Sequence, residues 1–452
     1  MPTRILIVGG GGREHALAWK LAAEPGVNAV VVAPGSAVMT SLDRVTVRAG
    51  VDPLDPAAVV GVARQVAAEL VVIGPEAPLA AGVGDALRAA GFPVFGPNRG
   101  AARIEASKAF CHEIAAAAGV RMARAGAFDD ADAAVSFAAE LSAVGRGVVV
   151  KADGLAAGKG VTVCDDLAAA EAAIRELAGG ASGGAEMAGP DAGPFVVVEE
   201  RLVGPEASLI AICDGRYALA LPAARDHKRL FDGDHGPNTG GMGAYSPLED
   251  LPDDSTDAIL DAFHRPILGE LAWRGLPFVG ALYAGLILTA DGPVLLECNA
   301  RFGDPETQAL MPRLAVALGP LLLAAARGSL AASVARLGLE VPRLPAFPGA
   351  AVAIVIAAAG YPGAPRRGDA IHGLDAAAAD ALVFQAGTTV DADGTMRTDG
   401  GRVLAVVARG VDLAEAAARA DAAAELIHFA GAQRRHDIGR PGRVPVEMGT
   451  GR

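Results

Sequence analysis

Short apolar runs broken by glycine and proline recur through the first hundred residues. Residues 4–8, 29–33 and 70–73 each read as a strand, stopping at Gly9, at Pro34-Gly35 and at Gly74-Pro75. Residues 14–23 and 83–90 carry apolar positions at helical spacing, and 93–95 is a further short strand before Gly96-Pro97. Strands without polar alternation, separated by helices, predict a parallel sheet covered on both faces. This first domain is expected to span residues 1–100.

A second block, 101–330, follows. Strands are expected at 148–152, 161–164 and 195–199, with a helix at 168–177. Residues 179–194 are dense in Gly, Ala and Pro and read as a mobile loop. Residues 122–200 therefore form an inserted lobe hinged near Glu199-Glu200. Later strands fall at 208–213, 281–288 and 294–297. The apolar stretch 314–326 is bounded by Arg313 and Arg327 and interrupted by Pro320. It is shorter than the roughly 20 residues of a membrane span, so it predicts a buried helix. A third block, 331–440, opens with a Pro-rich link near Val341. It carries strands at 350–358, 382–385 and 402–408 and a helix at 413–428, and the tail 441–452 frays. The whole is an α/β chain.

Its length of 452 residues agrees with about three domains. A net charge of −13 argues against nonspecific nucleic-acid binding but not against small anionic substrates. Cys111, Cys164, Cys213 and Cys298 form no CxxC pair and read as buried free thiols. The apolar run 5–8 is too short for a signal peptide. These features point to a reducing cytoplasm, with no membrane partner.

The densest chemistry lies at 295–306, Leu-Leu-Glu-Cys-Asn-Ala-Arg-Phe-Gly-Asp-Pro-Glu. Glu297 and Asn299 share one face of a strand. A carboxylate beside an amide oxygen suits a hard cation such as Mg²⁺, shared with substrate phosphates. Arg301 has the same parity if the strand continues, which would place a charged donor fork beside the metal. Residues 4–15 give strand, glycine turn and helix start, a phosphate-binding arrangement. The dinucleotide fingerprint fails there: its last glycine position is Glu14, and the second strand ends without an acidic residue. NAD is excluded; a phosphate-bearing sugar or an unliganded tight turn remains. Residues 148–161 place Lys151, Gly154, Gly158, Lys159 and Gly160 around a loop between two strands. The glycine spacing and the following strand exclude a P-loop. Such a loop can close over ATP phosphates, with Lys151 as a point charge, or be a plain surface hairpin. At 196–208, backbone near Arg201 and Leu202 can read adenine and Glu206 can accept ribose hydroxyls; surface acids are the alternative. Residues 226–229 and 236–247 form a polar, glycine-dense stretch of the kind that is functional or disordered. His227 there has two cations beside it.

In order along the chain, GGREHALAWK (11–20), GPEAPL (74–79), SKAF (107–110), KADGLAAGKGV (151–161), DHKR (226–229), GPNTGGMGAYSP (236–247) and NARFGDPETQ (299–308) resemble the phosphoribosylamine–glycine ligase family of ATP-grasp enzymes. AAGYPG and GGRVLAV, from Ala358 and Gly400, are also similar to it. The resemblance implies an amino-terminal substrate domain, an ATP-grasp core of two α+β lobes and a carboxyl-terminal α/β domain. It implies a cytoplasmic enzyme of purine biosynthesis, monomer or weak dimer, joining glycine to 5-phosphoribosylamine with ATP and Mg²⁺ or Mn²⁺. It assigns ATP to Lys108, Lys151, Gly154, Gly158, Lys159, Gly160, Glu199, Glu200, Leu202 and Glu206. Substrate binding falls to Gly11, Gly12, Arg13, Glu14, Glu76, Asp226, His227, Lys228, Asn238, Thr239, Gly240 and Gly241. Glu297 and Asn299 are the metal ligands, Arg301 guards the transferring phosphoryl, and Asp304 orients the amine. Two departures stand out. Ala224-Arg225 precede Asp226 where the family often has Ser-Gln, and Gly285 occupies the place where many ATP-grasp enzymes carry a third metal carboxylate. The competing readings are an ATP-grasp carboxylase using bicarbonate and a non-catalytic nucleotide sensor.

Overall fold

The computed structural model describes residues 1–155, 160–179, 194–338 and 342–440. Gly158, Lys159, Val341, nearly all of the 179–194 loop and the 441–452 tail lie outside the described residues.

The first hundred residues form a five-stranded parallel sheet. Its order is Val45–Val47, Ala29–Pro34, Arg4–Gly9, Leu70–Ile73, Val94–Phe95. Residues 5–8 are paired on both sides and buried. The chain first builds outward on one flank of Arg4–Gly9 and then crosses to the other, so a crevice opens at the carboxyl ends of Arg4–Gly9 and Leu70–Ile73. The turns at Gly9 to Gly12 and at Gly74 meet there. Glu14 fills the gap between them, and a Cβ on Gly74 would stand 2.1 Å from Glu14 Oε1.

The inserted lobe is a four-stranded antiparallel sheet in the order Ala125–Phe128, Val196–Glu200, Val148–Ala152, Val161–Cys164. Helices Ala131–Ser142 and Leu167–Ala178 cover it, each begun by an aspartate cap, Asp130 and Asp166. Its apolar residues, including Ala138, Val150, Ile174 and Val198, form a core of their own. Behind the lobe lies a second antiparallel sheet, Ala218–Ala220, Glu206–Asp214, Val279–Thr289, Gly292–Asn299. Gly285 pairs with Glu297 and Leu286 with Leu295, so Leu296 is the extra residue of a bulge.

Several expectations are corrected. The glycine-dense stretch is not one loop: it forms the hairpin Arg229–Phe231 with His235–Asn238, followed by strand Gly243–Ser246. That strand and Arg225–Asp226 pair into the sheet of the third block, in the order Arg225–Asp226, Gly243–Ser246, Ala350–Ala357, Arg402–Gly410, Leu382–Gln385. The third block is therefore not self-contained. The buried helix expected over 314–326 starts only at Gly319, with Pro320 in its first turn, where a missing N–H costs nothing. Strand Gly292–Asn299 ends two residues before Arg301, so strand parity does not reach that residue. No helix among the described residues is long and apolar enough to cross a membrane.

Candidate active site

The cleft between the lobe and the second sheet brings together Lys108 and Glu199, two of the residues expected to hold nucleotide, and the expected metal ligands Glu297 and Asn299. Its walls include Lys108, His112, Met122, Glu199, Glu297 and Asn299. Lys151, from the lobe, crosses to the other sheet: its Nζ lies 2.8 Å from Glu199 Oε2 and donates to Leu296 O at 3.2 Å. Glu199 is 2% exposed and also meets His112 Nε2 at 2.8 Å, so it orients two cationic or polar groups. Lys108 Nζ donates to Gly154 O at 3.0 Å, and Asp153 accepts from Ser107 Oγ at 3.0 Å, tying the start of the glycine loop to the N-terminus of the earlier helix Lys108–Ala117. Gly160 continues the hairpin by accepting from Ala152 N at 2.7 Å.

Glu297 and Asn299 do share a face; Asn299 Nδ2 donates to Glu297 Oε1 at 3.4 Å. Burial pushes the Glu297 carboxyl up, but Lys228, Lys151 and Lys108 outweigh it and hold it down at about 2. An ionised carboxylate beside an amide oxygen, ringed by lysines, fits a hard cation carried on phosphates. Lys228 Nζ stands 2.7 Å from Glu206 Oε2 and 4.0 Å from Glu297 Oε1. Glu206 is thus engaged by Lys228. Asp226 is pushed up to about 8, first by burial; Lys228 opposes this, while Glu306, Glu206 and Glu297 add to it. Glu200 Oε1 accepts from Arg124 N at 2.9 Å, and Leu202 is half-buried beside it in sequence.

The second cluster lies at the sheet crevice. Gly11 N donates to Glu14 Oε2 at 2.7 Å, and Arg13 Nε to Glu14 Oε1 at 2.6 Å. Both oxygens of Glu14 therefore serve the turn above Gly12, so Glu14 shapes the crevice rather than opening into it. Arg13 Nη1 reaches Phe302 O at 3.1 Å. Arg301 turns toward this crevice and not toward Glu297. Its Nη2 lies 3.0 Å from Glu105 Oε1, and its Nε lies 3.4 Å from Glu76 Oε2. Burial opposes the charge on Arg301, but Glu105 and Glu76 hold it protonated. Asp304 accepts from Gln308 Nε2 at 2.7 Å and faces Arg402 Nη2 at 3.3 Å. Arg402 Nη1 also donates to Gly240 O and to Asp304 O. Thr239 Oγ1 donates to Lys228 O at 2.8 Å and accepts from Gly241 N at 3.0 Å, just after half-buried Asn238. A Cβ on Gly241 would stand 2.5 Å from Pro305 Cδ. His227 sits with Nδ1 3.5 Å from Asp234 Oδ1, near the Tyr245 ring.

Sequence reasoning named neither Glu105, His112, Arg402, Gln308 nor Gln385. Gln308 and Arg402 fall inside motifs that were recognised, and Glu105 and His112 flank SKAF; no spacing rule gives them roles. The buried atoms Ser36 Oγ, Gln308 Oε1, Gln385 Oε1 and Thr388 Oγ1 have no hydrogen-bond partner among the described residues. Gln308 Nε2 lies 2.8 Å from where a Cβ on Gly12 would be, and Gln385 N donates to His15 Nδ1 at 3.0 Å. The seam between the glycine turn and the carboxyl-terminal sheet is thus polar and undersatisfied, which is expected of a ligand site.

A small antiparallel lobe facing a second antiparallel sheet, with lysines and a carboxylate–amide pair between them, defines an ATP-grasp enzyme. Family models match at residues 3–105 (phosphoribosylglycinamide synthetase, N domain), 106–307 (its ATP-grasp domain) and 351–441 (its C domain). The chain belongs to the phosphoribosylglycinamide synthetase family. Phosphoribosylamine–glycine ligase of Caulobacter vibrioides is 47% identical over 440 residues, covering 96% of this chain and 97% of that protein. The Streptomyces coelicolor enzyme of the same name is 47% identical over 439 residues, covering 96% and 98%. The crystal structure of phosphoribosylamine–glycine ligase from Thermotoga maritima aligns with a TM-score of 0.77 at 33% identity, covering 96% of this chain and 99% of that one. A biotin carboxylase from Campylobacter jejuni, at 15% identity and TM-score 0.67 over 96% and 93% of the two chains, shares the fold alone.

Proposed function

We propose that this enzyme joins glycine to 5-phosphoribosylamine at the expense of ATP, giving glycinamide ribonucleotide, ADP and phosphate in purine biosynthesis. The observation that carries the reading is the position of Arg301. Its guanidinium faces the crevice of Gly11, Gly12, Arg13, Glu76 and Asp304, and its partner Glu105 lines the neighbouring cleft of Lys108, Glu297 and Asn299. Lys108 and Lys151 bind the ATP phosphates, with Gly154 and Gly160 beside them. The hinge segment Glu199, Glu200 and Leu202 takes the adenine, and Glu206 the ribose. Glu297 and Asn299 hold Mg²⁺ or Mn²⁺, which supplies charge neutralisation on the phosphates. The glycine carboxylate attacks the γ-phosphoryl, forming glycyl phosphate and releasing ADP. Arg301 balances charge on that group. The amine of 5-phosphoribosylamine then displaces phosphate, oriented by Asp304. The undersatisfied seam beside Gly12 supports a sugar phosphate there. Asp226, His227, Lys228 and the segment Asn238, Thr239, Gly240, Gly241 line the substrate side. The partners are small molecules only, in the cytoplasm.

Multiple-turnover ADP release is expected to require glycine and 5-phosphoribosylamine together, and Glu297→Ala to abolish it with only a modest loss of thermal stability. ADP release with bicarbonate and without glycine would favour the carboxylase reading.

A further inference from the structure

Glu105 is an 8%-exposed carboxylate in the last turn of helix Arg99–Ala106, outside every motif above. Its two oxygens grip two consecutive residues. Oε2 accepts from Ala300 N at 2.7 Å, and Oε1 lies 3.0 Å from Arg301 Nη2. It also lines the cleft that holds Lys108, Glu297 and Asn299. The strand has ended at Asn299, so no ladder bond fixes the backbone where Arg301 leaves it. A buried acid that serves only as structural filler would be costly; this one has both lone-pair faces directed at one short segment.

We propose that Glu105 is a positioning residue for the ligation, setting the rotamer of Arg301 through its guanidinium and the exit of the metal-binding strand through Ala300 N–H. The inference rests on the Arg301 role proposed above. Arg301 has five N–H donors; Glu105, Glu76 and Phe302 O engage part of the fork, and Glu105 fixes which edge remains for a phosphoryl oxygen. Without it, the long side chain samples several rotamers, and the charge balance meets the reacting group only part of the time.

The test is a double-mutant cycle on the full chain, with saturating Mg·ATP, glycine and 5-phosphoribosylamine. E105Q keeps an acceptor for Ala300 N–H and removes the charge. It should lower kcat by about 10–100-fold, the scale seen for outer partners that orient a working group. Its KM for ATP should stay unchanged. R301M should lower kcat further, and E105Q/R301M should match R301M alone, because the glutamine keeps the acceptor for Ala300 N–H and the charge it removes acts through Arg301. E105D, which keeps the charge but withdraws it, provides the same reading if E105Q is poorly soluble. Wild-type kcat in E105Q, or a double variant whose loss is the product of the two single losses, would overturn the proposal. An R301M variant as active as wild type would instead remove the Arg301 reading, and this inference with it.

Discussion

Glu297 and Arg301 lie four residues apart, yet they serve different clusters. Glu297 answers to three lysines in the nucleotide cleft, and Arg301 to two glutamates at the crevice. The pair spacing of Glu297 and Asn299 was legible because a strand alternates strictly. Arg301 was misread because the strand stops, and a strand end is a tertiary event. Two buried histidines lead to a pH prediction at this scale. Burial lowers His15 to about 4 and His264 to about 4; His264 Nε2 donates to Leu209 O at 3.2 Å. Both folded values lie below the unfolded 6.5, so below 6.5 the unfolded chain takes up protons that the folded one refuses. Stability is therefore full above pH 6.5 and lost as pH falls toward 4, by up to about 3 kcal/mol per histidine. Asp226, pushed up to about 8, acts in the opposite sense over this range, so the check is a difference: between pH 7 and pH 5 the thermal midpoint of His264→Gln should fall less, or rise more, than that of the unsubstituted enzyme.

At the scale of elements, the most legible pieces were those whose stability is local. Short apolar runs gave the strands at 70–73, 148–152, 161–164 and 382–385 with the observed bounds. Arg225–Asp226 and Gly243–Ser246 are short and carry no β-branched residue, and Val45–Val47, though β-branched throughout, is only three residues long; their partners hold them extended. The Arg229–Asn238 hairpin depends in the same way on the carboxyl-terminal segment. Arg435, whose side chain is 1% exposed, lies 2.6 Å from Asp234 and pairs with Asp437, while Asp437 accepts from Gly233 N at 2.9 Å. Replacing Arg435 with Met strips the cation from acids that stay in contact with water and should cost about 1–2 kcal/mol. Hydrogen exchange at 229–238 should accelerate while that at 4–9 is unchanged.

At the scale of the whole molecule, the middle of the chain and its carboxyl-terminal block share one sheet. Ala244 and Tyr245 pair with Ala353 and Val352, and Gly240 is held by Arg402 and by the Tyr361 hydroxyl at 2.8 Å. A chain ending at Phe347 should therefore fail as a soluble enzyme, rather than lose one module, because it exposes the face and edge of Gly243–Ser246. Soluble yield and ADP release check this together. The sequence by itself determined the parallel amino-terminal sheet, the strands of the inserted lobe, the failure of the P-loop and dinucleotide fingerprints, and the carboxylate–amide pair. Each follows from periodicity or from a turn that only glycine or proline permits. The tertiary structure alone decided that Arg301 faces the crevice, that Glu105 grips it from the edge of the nucleotide cleft, and that Gln308, Gln385 and Arg402 close the seam. Those contacts join residues about 100 to nearly 400 positions apart, and no local pattern records which distant side chain a fold brings within 3 Å.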